Sequence, residues 1–272
     1  MMNISLGQYF PADSPIHRLD PRIKVICGIL YIVCAFLCRG LVAFGALTLS
    51  AVVLVLLSRI PMRIVSRGIR PIVFIMLFTM VINLFFTTGD TLLFEWKFIH
   101  VYVEGVYNAV FMAIRIIMMI VGTSIFLTYT TTPIALTDGI ELLLSPLKKI
   151  KVPVHEFAMM MTITLRFIPT LVEETEKILR AQKARGTDFE SGGLIKRAKA
   201  MIPILIPLFV SSFRRADELA TSMECRCYHG GTGRTRMRVL HLHASDFVAV
   251  FLLILFGVGL VLCNCYAPGY VM

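Results

Sequence analysis

The chain has 272 residues and a formal charge of +10, yet only 16% of it is charged and 57% is hydrophobic, with a mean hydropathy of +0.79. A soluble domain carries about 25% charged residues, so a soluble enzyme is excluded. The basic excess is explained most simply by Lys and Arg held on the cytoplasmic face of a bilayer, and no nucleic-acid partner is expected.

Residues 1–22 contain Asp13, His17, Arg18, Asp20 and Arg22 with no apolar core, so no cleavable signal peptide is expected. The first apolar stretch runs from Val25 to Leu57 and is broken by Arg39-Gly40. Its length predicts a tight hairpin of two short helices with Arg39 at the far rim. Further apolar stretches cover Pro71 to Phe86, Gly105 to Thr128 and Phe247 to Cys265. Each is expected to be helical, because lipid offers no partner for backbone N–H and C=O groups. Cys27, Cys34, Cys38, Cys263 and Cys265 lie in or beside these runs and read as packing residues, not as a disulfide framework.

Charge sets the orientation. The segment after the second helix is read as a loop with Arg59, Arg63, Arg67 and Arg70 and no acid, whereas the loop expected from Asp90 to Glu104 carries Lys97 against three acids. The positive-inside rule then places the amino terminus in the cytoplasm and Met272 outside, a parity that five spans satisfy.

Three regions follow: 1–130 with the amino-terminal segment and four spans, 131–243 with cytoplasmic helices, and 244–272 with the last span and tail. In the middle region, Thr170-Leu171-Val172-Glu173 after Pro169 reads as a capping box opening a helix. Glu173/Lys177 and Glu176/Arg180 would pair along it, and Gly186 would end it. After a break at Ser191-Gly192-Gly193, a second helix is expected from Leu194 to Tyr228, bent by Pro203 and Pro207. Its apolar middle, Met201 to Val210, is too short to span and suits an interface or a partner. The fold class expected is an all-α membrane protein with about five spans and a helical coupling domain between the fourth and fifth.

No catalytic chemistry is legible. His155-Glu156 lacks the second His of a zinc-protease helix, since Met159 stands there. Met159-Met160-Met161 reads as core or lipid-facing packing. Gly230 to Thr235 lacks the order of a phosphate-binding loop. Cys225, Cys227, His229, His241 and His243 lack zinc-ribbon spacing, so no metal site is expected. The expected spans hold no Asp or Glu in their interiors, which disfavours a stand-alone secondary permease, and Arg115 is their one clear charge.

Three segments resemble the transmembrane T subunits of energy-coupling factor (ECF) transporters, the EcfT/CbiQ-like family. They are Ser14-Pro15-Ile16-His17-Arg18-Leu19-Asp20-Pro21-Arg22-Ile23-Lys24, then Leu165-Arg166-Phe167-Ile168-Pro169 with Ala184-Arg185-Gly186, then Phe213 to Ala220 with Cys225-Arg226-Cys227. The last replaces the family's second Ala-Arg-Gly motif and keeps only its Arg. The resemblance implies a non-catalytic coupling subunit for vitamin uptake. Its partners would be two ABC-type ATPases, which bind the ATP and Mg, and a substrate-binding S component. No cofactor is expected in this chain. Arg185 and Arg226, with Ala184, Gly186, Cys225 and Cys227, would couple to the ATPases. Met201, Ile202, Ile204, Leu205, Ile206, Leu208 and Phe209 would face the S component. The dedicated T subunit of a cobalt or nickel importer is the nearest alternative.

Overall fold

A computed structural model describes residues 9–86, 92–96, 99–187, 189, 193–230 and 240–266. Arg234, Arg236, Arg238 and Met272, and most of the glycine-rich stretch before them, lie outside the described residues. Two compact units are formed, one from Gly7–Leu142 with Leu240–Met272 and one containing Leu143–Val239.

The first unit opens with α1, Pro21–Leu37. Asp20 caps it by accepting the Arg22 N–H at 2.9 Å, and Pro21 supplies a preset backbone at the first helical position. Helix α2, Leu41–Ser58, follows after the expected turn at Arg39-Gly40. Helix α3 is Met62–Phe86 and starts earlier than the apolar stretch suggested, with Pro71 inside it. Arg63, Arg67 and Arg70 therefore lie on its first turns and not in a loop; only Arg59 sits in the turn, as the left-handed C-cap of α2. Spaced by three or four residues, these three arginines share a helix face, a period that a charge tally misses.

The Asp90 to Glu104 segment, expected as a loop, contains a two-stranded antiparallel hairpin, β1 (Leu92–Trp96) and β2 (Ile99–Tyr102), with a register shift between Leu92 and Phe94. Its Phe, Trp, Ile, Val and Tyr are strand-favouring types. Helix α4, Val103–Thr123, runs on as a π-helical turn, Ser124–Tyr129. Helix α5 is Pro133–Leu143, and α8, Ala244–Tyr266, completes the unit.

Among the described residues, α2, α3, α4 with its π-helical turn, and α8 are long and apolar enough to cross a membrane. Helix α1 has 17 residues, at the short end of the range for a span. Its pairing with α8 shows its reach. Asp246 at the start of α8 accepts the Asp20 N–H at 2.9 Å. At the other end, Asn264 donates to the Leu37 carbonyl at 2.6 Å and accepts the Arg39 and Gly40 N–H groups at 3.3 Å. The two helices thus run parallel and in register for roughly 27 Å, close to the hydrocarbon thickness.

Small residues let the helices approach, as packing in lipid requires. Gly28 lies against Leu127, and Gly122 lies so close to the Tyr31 ring that a Cβ there would overlap it. Tyr31, Leu47, Ile125, Tyr129 and Leu260 are fully buried around this contact. Arg115 is absorbed by the fold: it donates to the Cys38 carbonyl at 2.7 Å, at the end of α1, and its guanidinium lies 5.3 Å from the Phe44 ring centroid. A cation there meets the negative end of the α1 dipole.

The second unit holds a 3₁₀ turn, Ser145–Ile150, and two long helices, α6 (Val154–Ala184) and α7 (Leu194–Cys225). The capping box expected at Thr170 to Glu173 is not formed, because α6 runs unbroken through Pro169. Ile163, Phe167 and Leu171 recur every four residues and face the groove shared with α7, so packing carries the helix past the proline. Glu176 and Arg180 pair at 3.8 Å. Helix α7 begins after Gly193 and ends at Cys225, short of the expected Tyr228, with Pro203 and Pro207 inside. Ser191 and Gly192 are outside the described residues.

Candidate functional site: two capped helix ends

The two long helices cross where Ile163, Phe167 and Leu171 of α6 meet Ser212, Ala216, Leu219, Ala220 and Met223 of α7. An ion pair, Arg215 to Glu174 at 3.4 Å, joins them there. Sequence reasoning missed this pair, because partners 41 positions apart leave no local pattern. Arg185 lies eleven residues beyond Glu174, and Arg226 eleven beyond Arg215. Each Arg therefore sits roughly 16 Å along its own helix from the pair.

Both arginines occupy the same local geometry. Arg185 is the C-cap of α6, and Gly186 follows at φ +84°. The Gly186 N–H bonds to Lys183 O at 3.0 Å and the Thr187 N–H to Gln182 O at 3.1 Å. Arg226 is the C-cap of α7, and Cys227 follows at φ 55°. The Cys227 N–H bonds to Glu224 O at 2.8 Å and the Tyr228 N–H to Met223 O at 3.1 Å. Each pair of bonds is a Schellman motif, in which a left-handed residue turns the chain back onto the last carbonyls. Cys227 takes up the conformation that Gly supplies in α6, so loss of the Gly has not cost the turn its shape. Ala184, Arg185, Gly186, Cys225, Arg226 and Cys227 are all exposed. A guanidinium held there offers a rigid fork of donors suited to a carboxylate.

The apolar stretch of α7 is exposed at Met201, Ile202, Leu205, Ile206 and Phe209, whereas Leu208 is half-buried and Ile204 buried. Val210 and Phe213 extend the exposed face, with the Phe209 and Phe213 rings 6.2 Å apart. A patch of this extent on one helix is a docking or lipid-facing surface.

The amino-terminal segment, the first of the three resembling segments, forms a buried polar cluster in the first unit. Ser14 and His17 bond at 2.7 Å, and the other His17 nitrogen donates to Phe10 O at 2.9 Å. Burial lowers the His17 pKa, and Lys24 adds to that against the Phe10 carbonyl and Asp13, so the neutral ring is favoured. The Lys24 ammonium, buried, donates to His17 O at 3.0 Å and Thr130 O at 2.8 Å. It lies near Asp20 and Asp246. Two acids and two bases (Asp20, Asp246, Arg22, Lys24) thus share one buried region, where a stranded partner would cost about 3–5 kcal/mol.

Comparison with known proteins agrees with this architecture. The family model described as CbiQ, cobalt transport protein, matches residues 12–237. The chain is 53% identical over 248 residues to the energy-coupling factor transporter transmembrane protein EcfT of Clostridium kluyveri, covering 91% of this chain and 92% of that one. It is 50% identical to the EcfT of Ruminiclostridium cellulolyticum, over 96% of this chain and 97% of that one. Against the EcfT of Bacillus subtilis the identity is 46%, over 93% and 96%. With matches of this extent and the helical membrane architecture described above, the chain belongs to the family of energy-coupling factor transporter transmembrane proteins.

Proposed function

We propose that this chain is the non-catalytic coupling subunit of an ATP-driven importer, carrying the motion of two ATPase subunits to a substrate-binding membrane component. The observation that supports it most is the pair of exposed arginines on identically built ends of two crossed helices, Arg185 on α6 and Arg226 on α7. Two equivalent cationic ends suit two copies of one kind of partner, each offering a carboxylate. The crossing ties the ends together, and the exposed apolar face of α7 offers a second partner a different, greasy surface. ATP and Mg belong to the ATPases, and the transported vitamin to the S component. The amino terminus lies in the cytoplasm, where ATP is. The wider family carries a cobalt-transport name, but the relatives named above carry the energy-coupling factor name, which favours the vitamin reading over a dedicated metal importer.

Arg185→Glu and Arg226→Glu test the reading. Losing one partner of a buried interfacial ion pair costs about 2–5 kcal/mol, and reversed charge adds repulsion. Each variant should weaken pull-down of the ATPases more than the Ala change does. The double variant should release both and abolish uptake while still inserting. Arg234, Arg236 and Arg238, expected to be solvated, serve as controls. Wild-type assembly and uptake by the double variant would refute the role of the two arginines.

A further inference from the structure

The chain leaves the first unit after Leu142 and re-enters it at Leu240. Both connections meet Arg22 at the start of α1, and the outgoing one meets Pro21 as well. On the way out, α5 presses Gly139 against Pro21. A Cβ on Gly139 would lie 3.0 Å from Pro21 Cβ, 3.1 Å from the Pro21 carbonyl carbon and 3.2 Å from the Arg22 nitrogen. On the way back, the Arg22 guanidinium donates to the Leu240 carbonyl at 3.2 Å.

Pro21 and Arg22 are in turn tied to the spans. The Arg22 N–H bonds to Asp20 Oδ1, and the Asp20 N–H bonds to Asp246 Oδ1, both at 2.9 Å. Asp246 also accepts the His243 N–H at 2.7 Å, so it holds the start of α8 and the start of α1 together. One turn further on, Lys24 reaches Thr130 O at the end of the π-helical turn of α4. The ends of α1, α4 and α8 and the middle of α5 therefore meet here. The node is not drawn fully tight: Arg22 Nε stands 3.7 Å from Asp20 Oδ1, and the buried Arg22 Nε and Asp20 Oδ2 have no hydrogen-bond partner among the described residues. A small approach of the two side chains would satisfy Arg22 Nε through Oδ1 but leave Oδ2 without a partner, so the node retains slack.

We infer that Pro21 and Arg22, with Gly139 and Leu240, form the point through which displacement of the two connecting segments reaches the spans, Arg22 acting as a positioning residue on the returning segment. This rests on the coupling role proposed above. An ordinary helix cap would hold α1 alone; this one also grips both connections, and only a residue on the transmission route should change transport per ATP without changing assembly.

The test uses the full complex, with ATPases and S component, in liposomes. Assembled complex, ATP hydrolysis and vitamin uptake are measured on the same preparations for wild type, Arg22→Gln, Arg22→Lys and Gly139→Ala. Arg22→Gln and Gly139→Ala should assemble and hydrolyse ATP, with uptake per ATP lowered about tenfold, the scale of coupling changes along such routes. Arg22→Lys, which keeps the charge and a donor, should fall between. An unchanged ratio in both variants overturns the inference, as does uptake that falls only in proportion to assembled complex. Should Arg22→Gln fail to fold, Gly139→Ala alone decides, since it keeps every charge. Failure of the wild-type chain to capture ATPases would instead refute the coupling role itself, and this inference with it.

Discussion

At Arg185 and Arg226 the residue that follows decides how firmly the helix ends. Gly186 at φ +84° has no Cβ to crowd the preceding carbonyl, whereas Cys227 at φ 55° does. A left-handed L-residue costs about 1–2 kcal/mol. Cys227→Gly should therefore stabilise the chain by about 1 kcal/mol, and Gly186→Ala should destabilise it by a similar amount. Thermal unfolding of the purified protein in detergent measures both; opposite signs are expected, and equal signs would mean that the two ends are not built alike. The first of these ends is legible in the sequence, because Gly after Arg announces a left-handed turn. The second is not, because nothing about Cys-Arg-Cys calls for positive φ; the Glu224 and Met223 carbonyls do. Arg115 was legible as a charge among apolar residues, but its partner, the Cys38 carbonyl, lies 77 positions away.

Among the elements, the spans were the easiest to read, because a continuous apolar run has one solution in lipid. The β1–β2 hairpin was not, since its charges looked like those of a loop. Nor was the unbroken α6: Pro169 and the Thr-to-Glu spacing both signal a new helix, and the groove against α7 outweighs them. How the spans pack is also outside what periodicity can say. Gly122 shows this. It is one of 18 glycines in the chain, yet here a Cβ would overlap the Tyr31 ring, so one atom keeps α1 and α4 apart or together. Gly122→Val should cost about 1–3 kcal/mol through overpacking. Tyr31→Leu in the same chain should recover part of that loss. The midpoint of thermal unfolding of the single and double variants tests this; no recovery would mean that the ring is not the obstacle.

For the whole molecule, the parallel pairing of α1 and α8 bears on topology. With the short α1 counted as a span beside α2, α3 and α4, four precede the second unit and α8 follows it, so α1 and α8 cross in the same direction only if the total is odd. Their registered ends agree with five crossings. Which side is which rests on the arginines of α3 and on Arg59. The expected outcome is that Cys227 reacts with a membrane-impermeant maleimide only from the cytoplasmic side, and that Cys265, exposed near the end of α8, reacts only from the outside. Labelling of both from one side would overturn the orientation.

The same pairing bears on how the protein is made. Helix α1 leaves the ribosome well before α8, yet α8 supplies the groups that settle both ends of α1: Asp246 for the Asp20 N–H, and Asn264 for the Leu37 carbonyl and the Arg39 and Gly40 N–H groups. Until α8 is synthesised, the first hairpin has raw ends at both faces of the bilayer. Its short first helix also carries Lys24, and of the two acids near it one, Asp20, is made just before it and the other, Asp246, more than two hundred residues later. The nascent chain must therefore hold an unfinished hairpin through the translation of some two hundred residues, until a helix made much later closes it.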